Sequence, residues 1–274
     1  MKVITTAPTE RVMTKSIPIE QVAAFAEGPF QGNPAAVCPL QSWLPDPIMQ
    51  AIAAENNLSE TAFYVGREGR YTLRWFTPRC EVDLCGHATL AAGHVVFLHE
   101  PHLDEVEFSS NSGPLIVRRL GDQLTLNFPV QPACPCPAPG GLEDILGTTV
   151  EACLQGVDLM VVVADERRVE ALAPDSAAVA ELPGRGLIVT APGTEVDFVS
   201  RFFAPSCGIA EDPVTGSAHC SLTPYWAERL GRSDLVAHQL SARGGMLRCQ
   251  LTEERVLISG RVIPYLSGVI HIDC

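Results

Sequence analysis

With 274 residues, and domains running to about 150 residues each, the chain is sized for two domains or one large α/β domain with a full buried core. Nineteen Lys and Arg against 32 Asp and Glu leave a formal charge of −13, which repels phosphate backbones and anionic membranes; no local basic cluster offsets it, so no nucleic-acid partner is expected. No stretch reaches the roughly 18 uncharged apolar residues that span a bilayer, and the opening MKVITTAPTERVMTKS lacks a signal peptide's apolar core, so a soluble, cytoplasmic protein with ten reduced cysteines is expected.

Residues 1–16 read as a polar extension, ended by Ser16 ahead of a strand-like run from Ile17 to Phe25. Gly28, Pro29, Gly32, Asn33 and Pro34 form a turn cluster. Asp46-Pro47 then offers an N-cap with proline at the first helical position, which predicts a helix from Pro47 to about Asn56. Its residues Ile48, Ala51 and Ile52 keep a helical spacing, and Asn56-Asn57 end it. Leu58-Ser59-Glu60 leads into a strand over Thr61 to Val65, so Glu60 falls at a helix-to-strand junction.

Further on, Arg74-Trp75-Phe76-Thr77-Pro78-Arg79-Cys80 is echoed by Arg201-Phe202-Phe203-Ala204-Pro205-Ser206-Cys207, with Arg, Phe, Pro and Cys matched. Each copy runs on to a short motif, Cys85-Gly86-His87-Ala88 in the first and Thr215-Gly216-Ser217-Ala218 in the second. Gly86 to His99 and Gly216 to Ala227 then contain no Asp, Glu, Lys or Arg. A helix without a polar face is buried on every side. Short β-rich runs are available to wrap both: Tyr71 to Phe76, Glu105 to Phe108, Leu115 to Arg118 and Leu124 to Phe128 in the first half, and Asp158 to Val163, Gly186 to Ala191 and Val196 to Phe203 in the second. The expected fold is α+β, with two related domains, 17–128 and 129–262, and a strand at about 263–274 returning to the first. Gln131 to Gly141, rich in proline and glycine, reads as a stiff connector.

If the two domains face each other about a pseudo-two-fold axis, the starts of both apolar helices, Gly86-His87 and Gly216-Ser217, point into one cleft. Free backbone N–H groups and the positive ends of two helix dipoles favour a carboxylate or phosphate there. The glycines also have a plain reading as turn residues. Glu211 to Ser217 concentrates an acid, two hydroxyls and a helix start, and His87 holds the matching place in the other half. A carboxylate, an imidazole and hydrogen-bond donors suit proton transfer beside a carboxylate or carbonyl, with no cofactor and no metal. Structural alternatives stay open: Asp212 and Ser217 as helix caps, His87 as a core histidine. His94, His99 and His102 find no carboxylate or cysteine at ligand spacing.

The strings GNPAAV (Gly32 to Val37), NNLSETAF (Asn56 to Phe63), LRWFTP (Leu73 to Pro78), EVDLCGHATLA (Glu81 to Ala91) and EDPVTGSAH (Glu211 to His219) strongly resemble the PhzF-like family, named for phenazine biosynthesis. The motifs occur in family order. The resemblance implies the diaminopimelate-epimerase fold: two pseudo-symmetric domains, each a rolled, mostly antiparallel sheet around a central helix. It implies that Glu60 is a proton-shuttling acid/base, that His87, Asp212 and Ser217 surround the same substrate, and that Gly86, Thr215, Gly216 and Asn33 bind it. In epimerases and racemases of this fold a cysteine from each domain supplies a two-base pair. Here Cys85 keeps the first place but Thr215 occupies the second, and a hydroxyl does not replace a thiolate base near neutral pH.

The expectation is a cofactor-independent isomerase that takes a proton from a small anionic metabolite and returns it at another carbon. The alternatives are an epimerase or racemase that depends on Cys85, whose place beside His87 and a helix start is of the kind that lowers a thiol pKa although a buried, inert cysteine is its plain reading, and a non-catalytic adaptor that retains the scaffold. Phenazine synthesis itself does not follow. Arg243-Gly244-Gly245, also typical of the family, is expected along the cleft, and a homodimer is the default assembly.

Overall fold

The structure, a computed structural model, describes residues 14–273. Its first half runs β1 (Thr14–Ala24), β2 (Asn33–Leu40), α1 (Asp46–Asn56), β3 (Glu60–Arg67), β4 (Arg70–Phe76), the two-residue β5 (Glu81–Val82), α2 (Gly86–His99), β6 (Glu105–Ser110), β7 (Gly113–Leu120) and β8 (Gln123–Pro129). The second half runs β9 (Cys134–Pro135), α3 (Leu142–Leu146), β10 (Ala152–Gln155), β11 (Leu159–Val162), α4 (Glu166–Glu170), α5 (Ser176–Ala180), β12 (Leu187–Pro192), β13 (Phe198–Phe203), α6 (Gly216–Leu230), β14 (Asp234–Gln239), β15 (Gly245–Leu251) and β16 (Arg255–Gly260). A final strand, β17 (Val262–Asp273), pairs antiparallel with β1 from Thr14↔Asp273 to Ala24↔Val262 and so lies in the first sheet. Among the described residues no helix is long and apolar enough to cross a membrane.

The order of pairing senses occurs twice. From β1 through β2, β3, β4, β6, β7 and β8 the contacts are antiparallel, parallel, antiparallel, parallel, antiparallel, antiparallel. From β10 through β11, β12, β13, β14, β15 and β16 they follow the same series. The two matching end strands, β8 and β16, pair with each other antiparallel, which joins two like lobes across a local two-fold.

Each lobe rolls its sheet around one helix because that helix has no polar face to offer water. In α2 every residue from Gly86 to Phe97 except His94 is buried. Leu90, Val95 and Val96 pack with Val106, Phe108, Val117 and Leu126 of the surrounding strands, and each such side chain, fully buried, stabilises by about 1.5–3 kcal/mol. At Gly93 a Cβ would lie 2.7 Å from Val117 Cγ1, so only glycine lets the strand approach. In α6 the buried stripe is Gly216, Ala218 to Thr223, Trp226 and Ala227, with Phe198 stacked on Trp226 at 5.7 Å. Its last turn, Glu228 to Leu230, is exposed.

The echoed sequence proves to be a brace. Arg74 on β4 grips Glu81 with Nε and Nη2, both at 2.6 Å, and Arg201 on β13 grips Glu211 the same way at 2.6 and 2.9 Å. Each forked pair fixes a carboxylate four residues before a helix-capping residue, Cys85 or Thr215, and so aims the chain into α2 or α6.

Some local expectations are corrected. Asn33 and Pro34, expected in a turn, open β2; Pro34 precedes the β2·β3 pairing that begins at Ala35↔Glu60, so its missing N–H leaves no gap there. Helix α1 starts on Asp46, whose side chain does not cap it but meets Arg74 Nη1 at 2.8 Å. Thr14 to Ser16 belong to β1, because β17 supplies them with partners, while the rest of the expected extension, 1–13, lies outside the described residues. The connector carries β9, which pairs with β10.

Candidate active site

The first turns of α2 and α6 abut. A Cβ at Gly86 would stand 3.7 Å from Gly216 Cα, and one at Gly216 3.8 Å from Gly86 Cα. Cys85 and Thr215 hold the N-cap positions in extended conformations, and neither helix has a side-chain cap. Two sets of helix N–H groups, each at the positive end of a dipole, therefore converge on one place. The cap reading of Asp212 and Ser217 is thereby overturned.

Beside this junction is a cleft of about 280 Å³, whose wall includes Glu60, Cys85, Gly86, His87, Asp212, Thr215, Gly216, Ser217 and Arg185. Glu60 is the first residue of β3 and only 8% exposed. Its Oε2 lies 3.1 Å from His87 Nε2. Burial pulls the His87 pKa down, but Cys85 and Glu60 push harder, and the net value stands well above the ordinary 6.5. The Cys85 thiol is itself pushed up to about 11 by burial and by the charge of Glu60, so it is neutral at pH 7. While the thiol is neutral, the charge of Glu60 is the one upward push on the imidazole that remains, set against burial. For Cys85 burial dominates, as its plain reading as a buried, inert thiol has it, over the alternative of an activated one.

Asn33 is wholly buried and is not part of the cleft wall, and its amide holds Asp212, which is. Its amide nitrogen has two hydrogens, and Asp212 Oδ1 at 2.7 Å and the Val214 carbonyl at 2.9 Å take both. His87 Nδ1 lies 3.1 Å from the same nitrogen and 3.5 Å from Cys85 Sγ, and with both amide hydrogens taken an N–H at Nδ1 would face the sulfur. Ser59 Oγ donates to Asn33 Oδ1 at 3.2 Å and fixes the amide's orientation.

Asp212 Oδ2 accepts from Thr215 Oγ1 at 2.5 Å. Burial raises the Asp212 pKa from 3.8 to about 6, helped by Glu60 and opposed by His87 and by the hydrogen bonds from Thr215 and Asn33. Gln239 holds this corner together, donating to the Asp212 carbonyl at 2.8 Å and accepting from the Thr215 N–H at 2.8 Å. Thr215 thus lines the cleft with its own donors already committed.

Ser217 Oγ accepts from Arg185 Nη2 at 3.0 Å, which leaves the hydroxyl proton free to point into the cleft. Arg185 is braced by a forked pair to buried Asp158, Nε to Oδ1 at 3.0 Å and Nη2 to Oδ2 at 2.7 Å. Sequence reasoning missed Arg185, Asp158 and Gln239, each of which stands at the edge of an ordinary strand. It also misplaced Arg243, which donates to the Gly32 and Gln31 carbonyls at 2.8 and 3.0 Å and lies away from this cleft. The stretch locks the turn before β2 instead.

Donor atoms of Glu60, Cys85 and His87 lie within 4.8 Å of one another, a possible metal-ligand set that local spacing did not reveal. The imidazole stands between the other two, with Nδ1 toward the thiol and Nε2 toward the carboxylate, so neither nitrogen serves both neighbours.

Paired rolled-sheet lobes with a buried acid/base cluster between two helix starts define an epimerase-type fold. A predicted epimerase from Pseudomonas aeruginosa shares it, with a TM-score of 0.72 at 20% identity over 93% of this chain and 99% of its own. The model of the family described as phenazine biosynthesis-like protein matches residues 22–268, and the chain belongs to that family. A crystal structure of a PhzF-family protein from Enterococcus faecalis is 47% identical, with a TM-score of 0.92 over 94% of this chain and all of its own. An uncharacterized isomerase of Pseudomonas aeruginosa is 55% identical over 258 residues, which are 93% of this chain and 98% of that protein.

Proposed function

We propose that the chain is an isomerase that moves a proton, without a cofactor, between two carbons of a small carboxylate-bearing metabolite bound between the lobes. Glu60 takes the proton from a carbon conjugated to the carboxylate. The electron pair of that C–H bond passes into the conjugated system, and Glu60 returns the proton at another carbon of it. His87 steadies the Glu60 carboxylate while it is charged, and Asp212 and Ser217 flank the substrate. The observation that carries this reading is the buried Glu60–His87 pair, 3.1 Å apart, beside two helix starts that no side chain caps. Helix dipoles and N–H groups favour the negative charge that spreads onto the carboxylate as the proton leaves. The names of curated relatives, isomerases among them, agree with this class of reaction.

The two-thiol alternative is disfavoured by Thr215 at the second cysteine place and by a Cys85 thiol raised to about 11. The test is uptake of solvent deuterium by unsaturated carboxylic acids, followed by mass spectrometry in wild type and Glu60→Gln. A loss of about 10²–10⁴-fold in the variant is expected for removal of a general acid/base; equal uptake removes Glu60 from the mechanism.

A further inference from the structure

Among the described residues, Arg185 is the one Lys or Arg on the wall of the cleft. It is built in rather than loosely placed. Its N–H donates to the Val157 carbonyl at 3.1 Å, its carbonyl accepts from Ser206 Oγ at 3.1 Å, and its guanidinium lies over the Phe202 ring at 5.5 Å. Nε and Nη2 are spent on Asp158 and Ser217, while Nη1 has no hydrogen-bond partner among the described residues. A guanidinium anchored through Nε and Nη2 at a cavity wall leaves Nη1 to donate charge-assisted N–H bonds to a carboxylate. Ser217 and the uncapped start of α6 stand beside it, whereas the matching start of α2 has the Glu60–His87 pair.

We propose that Arg185 is the receptor for the substrate's carboxylate. The acid is held against the second lobe by Arg185 Nη1, the Ser217 hydroxyl and the first N–H groups of α6, and the carbon that loses its proton faces Glu60 on the first lobe. This rests on the isomerase reading for its second half, and it adds a fixed substrate orientation and a determinant of specificity. Asp158 holds the fork at the right angle from behind.

The test uses crotonate and crotonamide, which share a shape and differ in charge, titrated into the ¹⁵N-labelled full chain. Wild type is expected to bind crotonate with shifts at the Gly216 and Ser217 amides and to prefer it over crotonamide by about tenfold. Arg185→Met removes that preference, and Arg185→Lys keeps part of it. Since Arg185→Met leaves Asp158 buried without a partner, the double variant Asp158→Asn/Arg185→Met repeats the measurement without that charge. An unchanged preference in both Met variants overturns the proposal. So does crotonate that shifts only the Gly86 and His87 amides, or that binds wild type no better than crotonamide. Deuterium uptake in Glu60→Gln reads the catalytic proposal separately, so either idea can fail while the other stands.

Discussion

Across β3·β4 Phe63 faces Arg74, and across β12·β13 Val189 faces Arg201. Counting back along the first strand of each pair sets Glu60 against Gly186 and Ser59 against Arg185. The lobes therefore share a frame down to single positions and carry different chemistry on it: a carboxylate–imidazole pair on one side, a cation and a hydroxyl on the other. Packing enforces the difference, because a Cβ at Gly186 would stand 2.6 Å from Phe202 Cζ and 2.9 Å from the Phe203 carbonyl. A second acid cannot be installed there without moving the brace strand. A symmetric frame thus carries an asymmetric set of side chains, and sterics at Gly186 keep it so.

The largest effect expected from probing this contrast concerns pH. Two buried groups of the second lobe titrate in opposite senses. The folded pKa of Asp212, about 6, lies above 3.8, so protonation favours the folded state and stability falls as pH climbs from about 4 to 6. The folded pKa of His219 is lowered by burial from 6.5 to about 4, so stability is lost as pH falls through that interval. Each is worth about 3 kcal/mol, and in wild type they nearly cancel. Asp212→Asn leaves His219 uncompensated. Urea unfolding at pH 7 and pH 4 is expected to show the variant losing about 3 kcal/mol more than wild type over that range; parallel pH profiles would contradict the assignment.

A smaller effect is expected from Gly186→Ala, which presses on the Phe202 ring and the Phe203 carbonyl and destabilises by about 1–3 kcal/mol in chemical denaturation. A neutral result would mean that sterics do not keep the lobes different. Smallest is Cys85→Ala, since its thiol is neutral at pH 7; deuterium uptake should fall by less than about tenfold. A loss as deep as that of Glu60→Gln would restore the thiol reading.

Much of this was legible in the sequence where one residue type satisfies a backbone need. The charge-free runs after Gly86 and Gly216 announce buried helices, and the Arg-x-Phe-x-Pro-x-Cys echo announces paired strands. The same marks led to Glu60, His87, Asp212 and Ser217, which the structure gathers at one cleft. Arg185 and Asp158 were illegible because their partnership spans 27 residues and neither belongs to a motif. Asn33 was legible as a residue, but its partners were not, since only coordinates show its two amide hydrogens directed at Asp212 and Val214. For Cys85 the neighbouring histidine and helix start offered activation against the plain reading of a buried thiol, and burial decides for the plain one. The signal for Arg185 was the echo itself, extended by strand register to the position beside Glu60's counterpart.

The pairing of β17 with β1 has a consequence for how the chain comes together on the ribosome. The strand that completes the first sheet follows the whole of the second lobe in the chain, after β16 has emerged to pair with β8 of the first. The second lobe can close as soon as β16 emerges, while β1 waits with one bare edge, a template for any strand that arrives too early. Chaperone dependence during synthesis should therefore trace to Thr14–Ala24, a strand that precedes both central helices and whose β17 partner follows them.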